Sequence, residues 1–234
     1  MLAEESYGIQ LTMFELIWLF ALYSLMGWIL ESSYNSYRHH KFINSGFLFG
    51  PFCPIYGVGF ILITFFITPL QNNLFLFFIG AFAVTTILEY LTSLALEILF
   101  HTQWWDYSKE FLNIDGRICL RFSLYWAFLA LFVIKFIHPQ IVFLSNFLSD
   151  KLGSVGIIIV VSYFLIDLTI TTISLYGLKH FFEALNLIHE KVDQEAEDLL
   201  FKKLRKPYLK LLKSFPDLKS KRYQIDKVQQ RIRS

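Results

Sequence analysis

Between Leu74 and Phe100 the chain runs for 27 residues with only two charged side chains, Glu89 and Glu97. As a helix this stretch reaches about 40 Å at 1.5 Å per residue. The hydrocarbon core of a bilayer is about 30 Å thick, so the segment is long enough to cross it and to project or tilt. Further apolar runs at 11–30, 118–137 and 154–178 repeat the pattern. Composition agrees: 55% of the 234 residues are hydrophobic, 26 are Phe, and 17% are charged. A soluble domain carries about 25% charge and needs it to cover its surface. These values exclude a soluble enzyme, a disordered chain and a secreted disulfide scaffold. The expected fold is all-α: a polytopic helical membrane protein.

Charge is unevenly divided. Residues 1–178 hold 7 Lys and Arg against 11 Asp and Glu, whereas residues 179–234 hold 14 against 8. This predicts a transmembrane domain over 1–178 and a basic cytoplasmic helical tail over 179–234. About five transmembrane helices are expected. With five crossings, the tail, the Arg38/Lys41 loop and the Lys109/Arg117 loop share one side, which the positive-inside rule makes cytoplasmic. The topology is then N-out and C-in, in the inner (cytoplasmic) membrane. The acidic start, Met1-Leu2-Ala3-Glu4-Glu5, has no basic region of the kind a signal peptide needs. Cys53 and Cys119 both fall towards the reducing side, which argues against a disulfide.

One segment breaks the pattern. After Gly46-Phe47-Leu48-Phe49-Gly50-Pro51-Phe52-Cys53, the apolar run to Pro69 is too short to cross alone. A helix start at Pro54 lengthens it to about 24 Å. The preceding Gly/Pro stretch is then a broken or re-entrant element, tolerated at membrane depth where protein buries it or a wet cavity borders it. Such a half-helix start offers N–H groups to an anion. The plainer alternative is a cytoplasmic loop with Pro as helix starter.

Glu89, Ser93, Glu97 and His101 recur every four residues, which places the first three on one helical stripe. Ionisable groups inside a span cost several kcal/mol and face the protein interior. This stripe suits a cation or a proton relay; the alternative is ion pairing with Arg117 and Arg121, one turn apart at the next span's start. The run His101-Thr102-Gln103-Trp104-Trp105-Asp106-Tyr107-Ser108 follows. An interfacial aromatic belt is its simpler reading; aromatic walls around a carboxylate would instead suit a cationic or sugar-like ligand. Glu31 ends the first span. Asp167 lies mid-span in the last, with Tyr163, Thr171 and Ser174 on a similar face, and is either functional or bonded to nearby hydroxyls. A zinc site on Cys53, Cys119 and His101 matches no ligand spacing, and no base pairs with Cys53 as a nucleophile. The candidate binding residues are therefore Glu31, Cys53, Glu89, Glu97, His101, Trp104, Trp105, Asp106, Tyr107, Arg117, Cys119, Arg121 and Asp167, with no metal or cofactor assigned.

Further on, 141, 144, 148 and 152 form a spacing for a short interfacial helix, with His138-Pro139 ending the span before it. In the tail, Phe181, Leu185, Ile188 and Val192 suggest a helical contact with a partner or a second copy. Lys202-Lys203-Leu204-Arg205-Lys206 suits anionic lipid rather than nucleic acid.

Several motifs resemble a bacterial family named as ABC-transporter type IV, or CmpB-like. They are Gly27-Trp28-x-x-Glu31; Asn44-x-Gly46-Phe47-Leu48-x-Gly50-Pro51-x-Cys53-Pro54-Ile55-Tyr56-Gly57; Leu88-Glu89-Tyr90-x-Thr92-Ser93; Phe100-His101-x-x-Trp104-Trp105-Asp106-Tyr107-Ser108; and Asn113-Ile114-x-Gly116-Arg117-Ile118-Cys119-Leu120. Ser45 and Ala127 depart from the family pattern, where Arg and Gly are usual. The resemblance implies a permease-like transport component. No phosphate-binding G-x-x-x-x-G-K-[ST] loop is present, so an ATPase partner would be a separate chain. Two alternatives stand beside it: a membrane-embedded enzyme acting on a lipid or other amphiphile, and an assembly or regulatory subunit. The absence of an internal repeat weakens a self-contained carrier.

Overall fold

The computed structural model describes residues 12–189. Helix α1 spans Met13–His39 and begins on a reciprocal cap: the Glu15 backbone N–H donates to Thr12 Oγ1 at 3.3 Å, and the Thr12 N–H to Glu15 Oε2 at 2.6 Å. Glu15, the one charge in the first apolar run, is thus accounted for by capping. Helix α2 spans Pro54–Phe66, with Pro in the first turn as expected. A 3₁₀ turn at Thr68–Leu70 and an Asn73 cap, which accepts from the N–H groups of Phe75 and Leu76, lead into α3, Leu74–Phe100. Its limits agree with the run read from the sequence. An antiparallel hairpin, β1 (Asn113–Ile114) and β2 (Ile118–Cys119), follows within the otherwise helical fold. Its turn places Asp115 at φ 54° and Gly116 at φ 67°.

Helix α4 spans Leu120–Phe132, passes through a π-helical turn at Val133–Ile137, and continues as α5, His138–His189. His138-Pro139 therefore does not end the fourth apolar run. Pro139 lacks an N–H and its ring would strike the carbonyl four residues back in a regular helix; the wider π turn before it absorbs both problems. The helix breaks instead at Gly153, where φ 50° and ψ −141° leave the helical region. Residues 138–152 are thus the continuation of one long helix rather than a separate interfacial one. The tail residues 190–234 lie outside the described residues, as do the side chains of Phe181, Leu185 and Ile188.

Among the described residues three segments are long and apolar enough to cross a membrane: Met13–His39, Leu74–Phe100 and Leu120–Gly177, the last containing the Gly153 break. Pro54–Phe66 is apolar but, at 13 residues, covers only about 20 Å. Outward faces are themselves apolar, with Ile79, Ile87, Leu91, Phe128, Phe136, Ile158 and Ile173 all exposed. That pattern suits lipid rather than water. At the centre, Leu19 and Tyr23 of α1 meet Phe60 and Ile63 of α2, Phe77 and Ala81 of α3, and Ala130 of α4. The Tyr23 ring stacks on Phe60 at 4.4 Å, and its hydroxyl lies 2.5 Å from His138 Nδ1.

Candidate functional site

Residues 40–53 form an irregular strap that runs back along α1. Ser45 N–H donates to Ser32 Oγ at 3.0 Å, Asn35 Nδ2 to Ser45 Oγ at 2.9 Å, and Cys53 N–H to the Ser24 carbonyl at 2.8 Å. From Asn35 to Ser24 is 11 residues of helix, about 16 Å, so the strap dips by roughly that distance before α2 begins. Asn44 holds its shape: its carboxamide accepts from Trp28 Nε1 at 2.5 Å and donates to the Phe49 carbonyl at 2.8 Å. Irregular backbone here has polar groups met from α1, from its own side chains and, at Phe49 and Gly50, from α5, as burial demands.

α2 then packs closely on α1. A Cβ at Gly27 would overlap the Tyr56 ring, so only glycine permits this approach. The result brings the Glu31 carboxyl against the Cys53 thiol and the Tyr56 hydroxyl. The half-helix start thus faces a carboxyl group of the chain itself, Glu31, at the place read from sequence as a receptor for an external anion.

Opposite lies Glu89 of α3, buried, within electrostatic reach of Glu31. Its Oε1 accepts from the Tyr107 hydroxyl at 3.1 Å and from Trp126 Nε1 at 3.3 Å. Oε2 is buried and has no hydrogen-bond partner; nor does the Tyr56 hydroxyl have one of ordinary geometry. The rings of Tyr56 and Trp126 meet edge to face at 5.7 Å, and Tyr107 stacks on Phe122 at 4.6 Å. Burial, and then the neighbouring Glu89 carboxyl, push the Tyr107 hydroxyl well above the usual phenol range, so it remains a donor. Cys119 also lies within electrostatic reach of Tyr107, and both cysteines are buried free thiols.

Of the residues read from sequence, Glu31, Cys53, Glu89, Tyr107 and Cys119 come together. The others lie around them in different roles. Glu97 accepts from Arg117 Nη1 at 2.5 Å and from Gln103 Nε2 at 3.0 Å. The alternative of ion pairing is therefore half realised: Arg117 pairs with Glu97, but Arg121 turns outward to Glu110 at 3.6 Å, and Glu89 takes neutral donors. The physical reason is that Arg117 sits in the hairpin, so it does not share a helical face with Arg121. His101 ends α3 in the left-handed conformation, its N–H donating to the Glu97 carbonyl. Trp105 Nε1 donates to the Arg117 carbonyl at 2.8 Å, and Trp104 packs between Phe47 and Phe100. Trp104 and Tyr107 thus tie the 101–117 loop to the strap and the helices, while Trp105 ties it to the hairpin. Asp106 accepts from the N–H and hydroxyl of Ser108, shaping its own loop.

Asp167 grips the strap from α5. It is buried and accepts from Gly50 N–H at 2.8 Å and Phe49 N–H at 3.1 Å, with Thr171 Oγ1 beside it. Of the neighbours read from sequence, Thr171 joins it, whereas Ser174 donates to the Ile170 carbonyl. Tyr56 and Trp126 were not singled out from sequence. Tyr56 stands inside the Cys53-Pro54-Ile55-Tyr56-Gly57 motif, which was the available signal; Trp126 has none, since an aromatic residue in an apolar run reads as core or lipid-facing. Among the described residues no group of three or more His, Cys, Asp or Glu is arranged to hold a metal ion.

Neither a curated protein nor a solved structure matches the chain. One family does match, over residues 18–172, about two thirds of the chain, and thus beyond the motifs to include Asp167. With three helices of spanning length among the described residues, and with the strap, the hairpin and both carboxyls inside the matched region, the chain is a membrane protein belonging to the family described as Putative ABC-transporter type IV.

Proposed function

We propose that the protein is a permease-like component of a membrane transport system, with a polar interior site for a small substrate or ion and an ATPase on a separate chain. One observation carries this reading. Glu31 and Glu89, on different helices, lie within electrostatic reach of each other beside an irregular strap, and neither contacts a Lys, Arg or His among the described residues. Carboxylates without cationic partners inside a helical membrane domain mark substrate or ion pathways. An interrupted helix at the same place is the arrangement transporters use to expose backbone at depth. The family description supports transport at the coarser level.

In this reading the long Leu120–Gly177 segment supplies two crossings either side of Gly153, and the short α2 with its strap supplies one more. The basic loops and tail face the cytoplasm, with N-out and C-in topology in the inner membrane. The site then opens to the cytoplasmic side.

Uptake of labelled small cations into membrane vesicles that retain any native ATPase tests the proposal. Vesicles carrying the protein should accumulate a solute that those carrying Glu89→Gln do not, at equal protein levels. Conversion of a lipid by the purified chain, with no flux, would replace transport by the enzymatic alternative. Normal flux in Glu89→Gln would remove the site.

A further inference from the structure

We propose that the tip of the 101–117 loop enters the lipid at the boundary between headgroups and acyl chains, in the leaflet on the side where α3 ends. Three apolar side chains of that tip stand outside the protein: Phe111 is 76% exposed, Leu112 62% and Ile114 56%. In water such a cluster would stay unburied. The height of the tip along the helices says what covers it. The Tyr90 hydroxyl donates to Asp115 Oδ2 at 3.0 Å, and Tyr90 lies about 15 Å before Phe100 along α3. On α4, Arg121 meets Glu110, the neighbour of Phe111, at 3.6 Å, and Trp126, five residues further on, donates to Glu89. The tip therefore sits about 8 Å from the level of Glu89, beside the stretch of α3 from Tyr90 to Glu97. The loop doubles back alongside its own helix instead of standing off the end.

That stretch is where α3 leaves the hydrocarbon. From Leu74, a core about 30 Å thick takes about 20 residues, which puts its boundary near residue 93. Leu91 and Ile98, on either side of that level, are exposed and apolar. Phe111, Leu112 and Ile114 thus continue, at the same height, a surface that α3 presents to lipid. The backbone of the tip is satisfied from within: Asn113 Nδ2 donates to the carbonyls of Ser108 at 3.2 Å and Glu110 at 2.9 Å, and Asn113 Oδ1 accepts from the Gly116 N–H. A segment entering lipid needs this, because water is not there to serve. Lys109 and Arg121, the latter shared with Glu110, are exposed beside the tip, where cationic side chains reach lipid phosphates. A soluble protein could cover the tip only if it stood clear of the bilayer, and its height along α3 and α4 argues against that.

The test uses the full chain in phosphatidylcholine nanodiscs, with a bimane label at Phe111→Cys, at Leu112→Cys or, as a reference on α3, at Leu91→Cys. Cys53 and Cys119 are buried, so the introduced thiol is the one that reacts. Emission at 111 and 112 should be quenched more by phosphatidylcholine spin-labelled near the headgroup end of its chain than by lipid labelled at the chain terminus. Iodide should quench both severalfold less than it quenches free bimane, and the label at 91 should also be quenched by lipid. Phe111→Trp guards against an effect of the label itself: brominated lipid should remove more of its emission than of the parent's. Quenching at 111 and 112 by iodide as strong as for free bimane, with none from lipid, would put the tip in water, open to a soluble partner, and overturn the proposal. Strongest quenching by the chain-terminus label, or a Phe111→Trp chain no more sensitive to brominated lipid than the parent, would do the same. No flux enters these measurements, so their outcome is separate from that of the transport reading.

Discussion

Asp167 accepts the backbone N–H of Gly50 at 2.8 Å across 117 positions of sequence, and so ties the strap in front of α2 to the helix that follows Gly153. A Cβ on Gly50 would collide with the Tyr163 hydroxyl and Asp167, so the contact needs both the carboxylate and the glycine. Asp167→Ala removes the acceptor of the Gly50 N–H and leaves the Phe49 N–H with Thr171 Oγ1. The expected loss is about 1–3 kcal/mol, with Asp167→Asn losing less because its carbonyl still accepts. Thermal unfolding measures this. Faster labelling of Cys53, only 4% exposed in the parent, should accompany it as the strap loosens; unchanged labelling would show that the strap is held by α1 alone.

The Arg117–Glu97 pair is an anchor between the hairpin and α3. Its side chains are 10% and 21% exposed, so breaking it leaves a charge largely out of water. Arg117→Ala should cost about 2–4 kcal/mol after allowance for solvent at Glu97. The Glu97→Gln/Arg117→Ala double variant should lose less than the sum of the single changes. Strict additivity in unfolding measurements would mean that the two groups do not interact.

Close approach of α1 and α2 depends on Gly27. Gly27→Ala places a methyl group into the Tyr56 ring, and overpacking of this kind costs about 1–3 kcal/mol. Tyr56→Ala in the same chain should restore part of the lost thermal stability by making room. A second change that deepens the loss would place the strain elsewhere.

Tyr107 links stability to alkaline pH. Its hydroxyl is pushed above the ordinary phenol value, first by burial and then by Glu89. The folded chain therefore holds this proton more tightly than the unfolded chain does. The contribution is full below the unfolded value of about 10 and declines as pH rises beyond it. Tyr107→Phe should lower stability at neutral pH, because Glu89 loses a donor at 3.1 Å, and should flatten the decline above about pH 10. Parallel curves for parent and variant across that range would show that Tyr107 does not titrate in this window.

What the sequence determined by itself was local or statistical in origin. Helix α3 runs from Leu74 to Phe100 because an unbroken apolar stretch has no other way to satisfy its backbone, and α2 begins at Pro54 because proline suits a first turn. The irregular strap followed from the shortfall in length of the helix after it, and the membrane class from hydropathy alone. Partner choice could not be read in this way. Arg117 and Arg121 look equivalent at a spacing of four, yet a two-residue ladder takes the first out of the helix and gives it Glu97. Trp104, Trp105 and Tyr107 have the composition of an interfacial belt, and what each ring meets (Phe47 and Phe100, the Arg117 carbonyl, and Glu89) depends on the fold of their loop. Pro139 has the look of a terminator, and a π turn carries the helix past it. Asp167 meets Gly50, and Trp126 meets Glu89, only because helices far apart in the chain pack side by side. Periodicity reports which face of a helix is polar; tertiary packing decides what that face touches, since a hydrogen bond over about 3 Å depends on the relative placement of two elements rather than on either one's sequence.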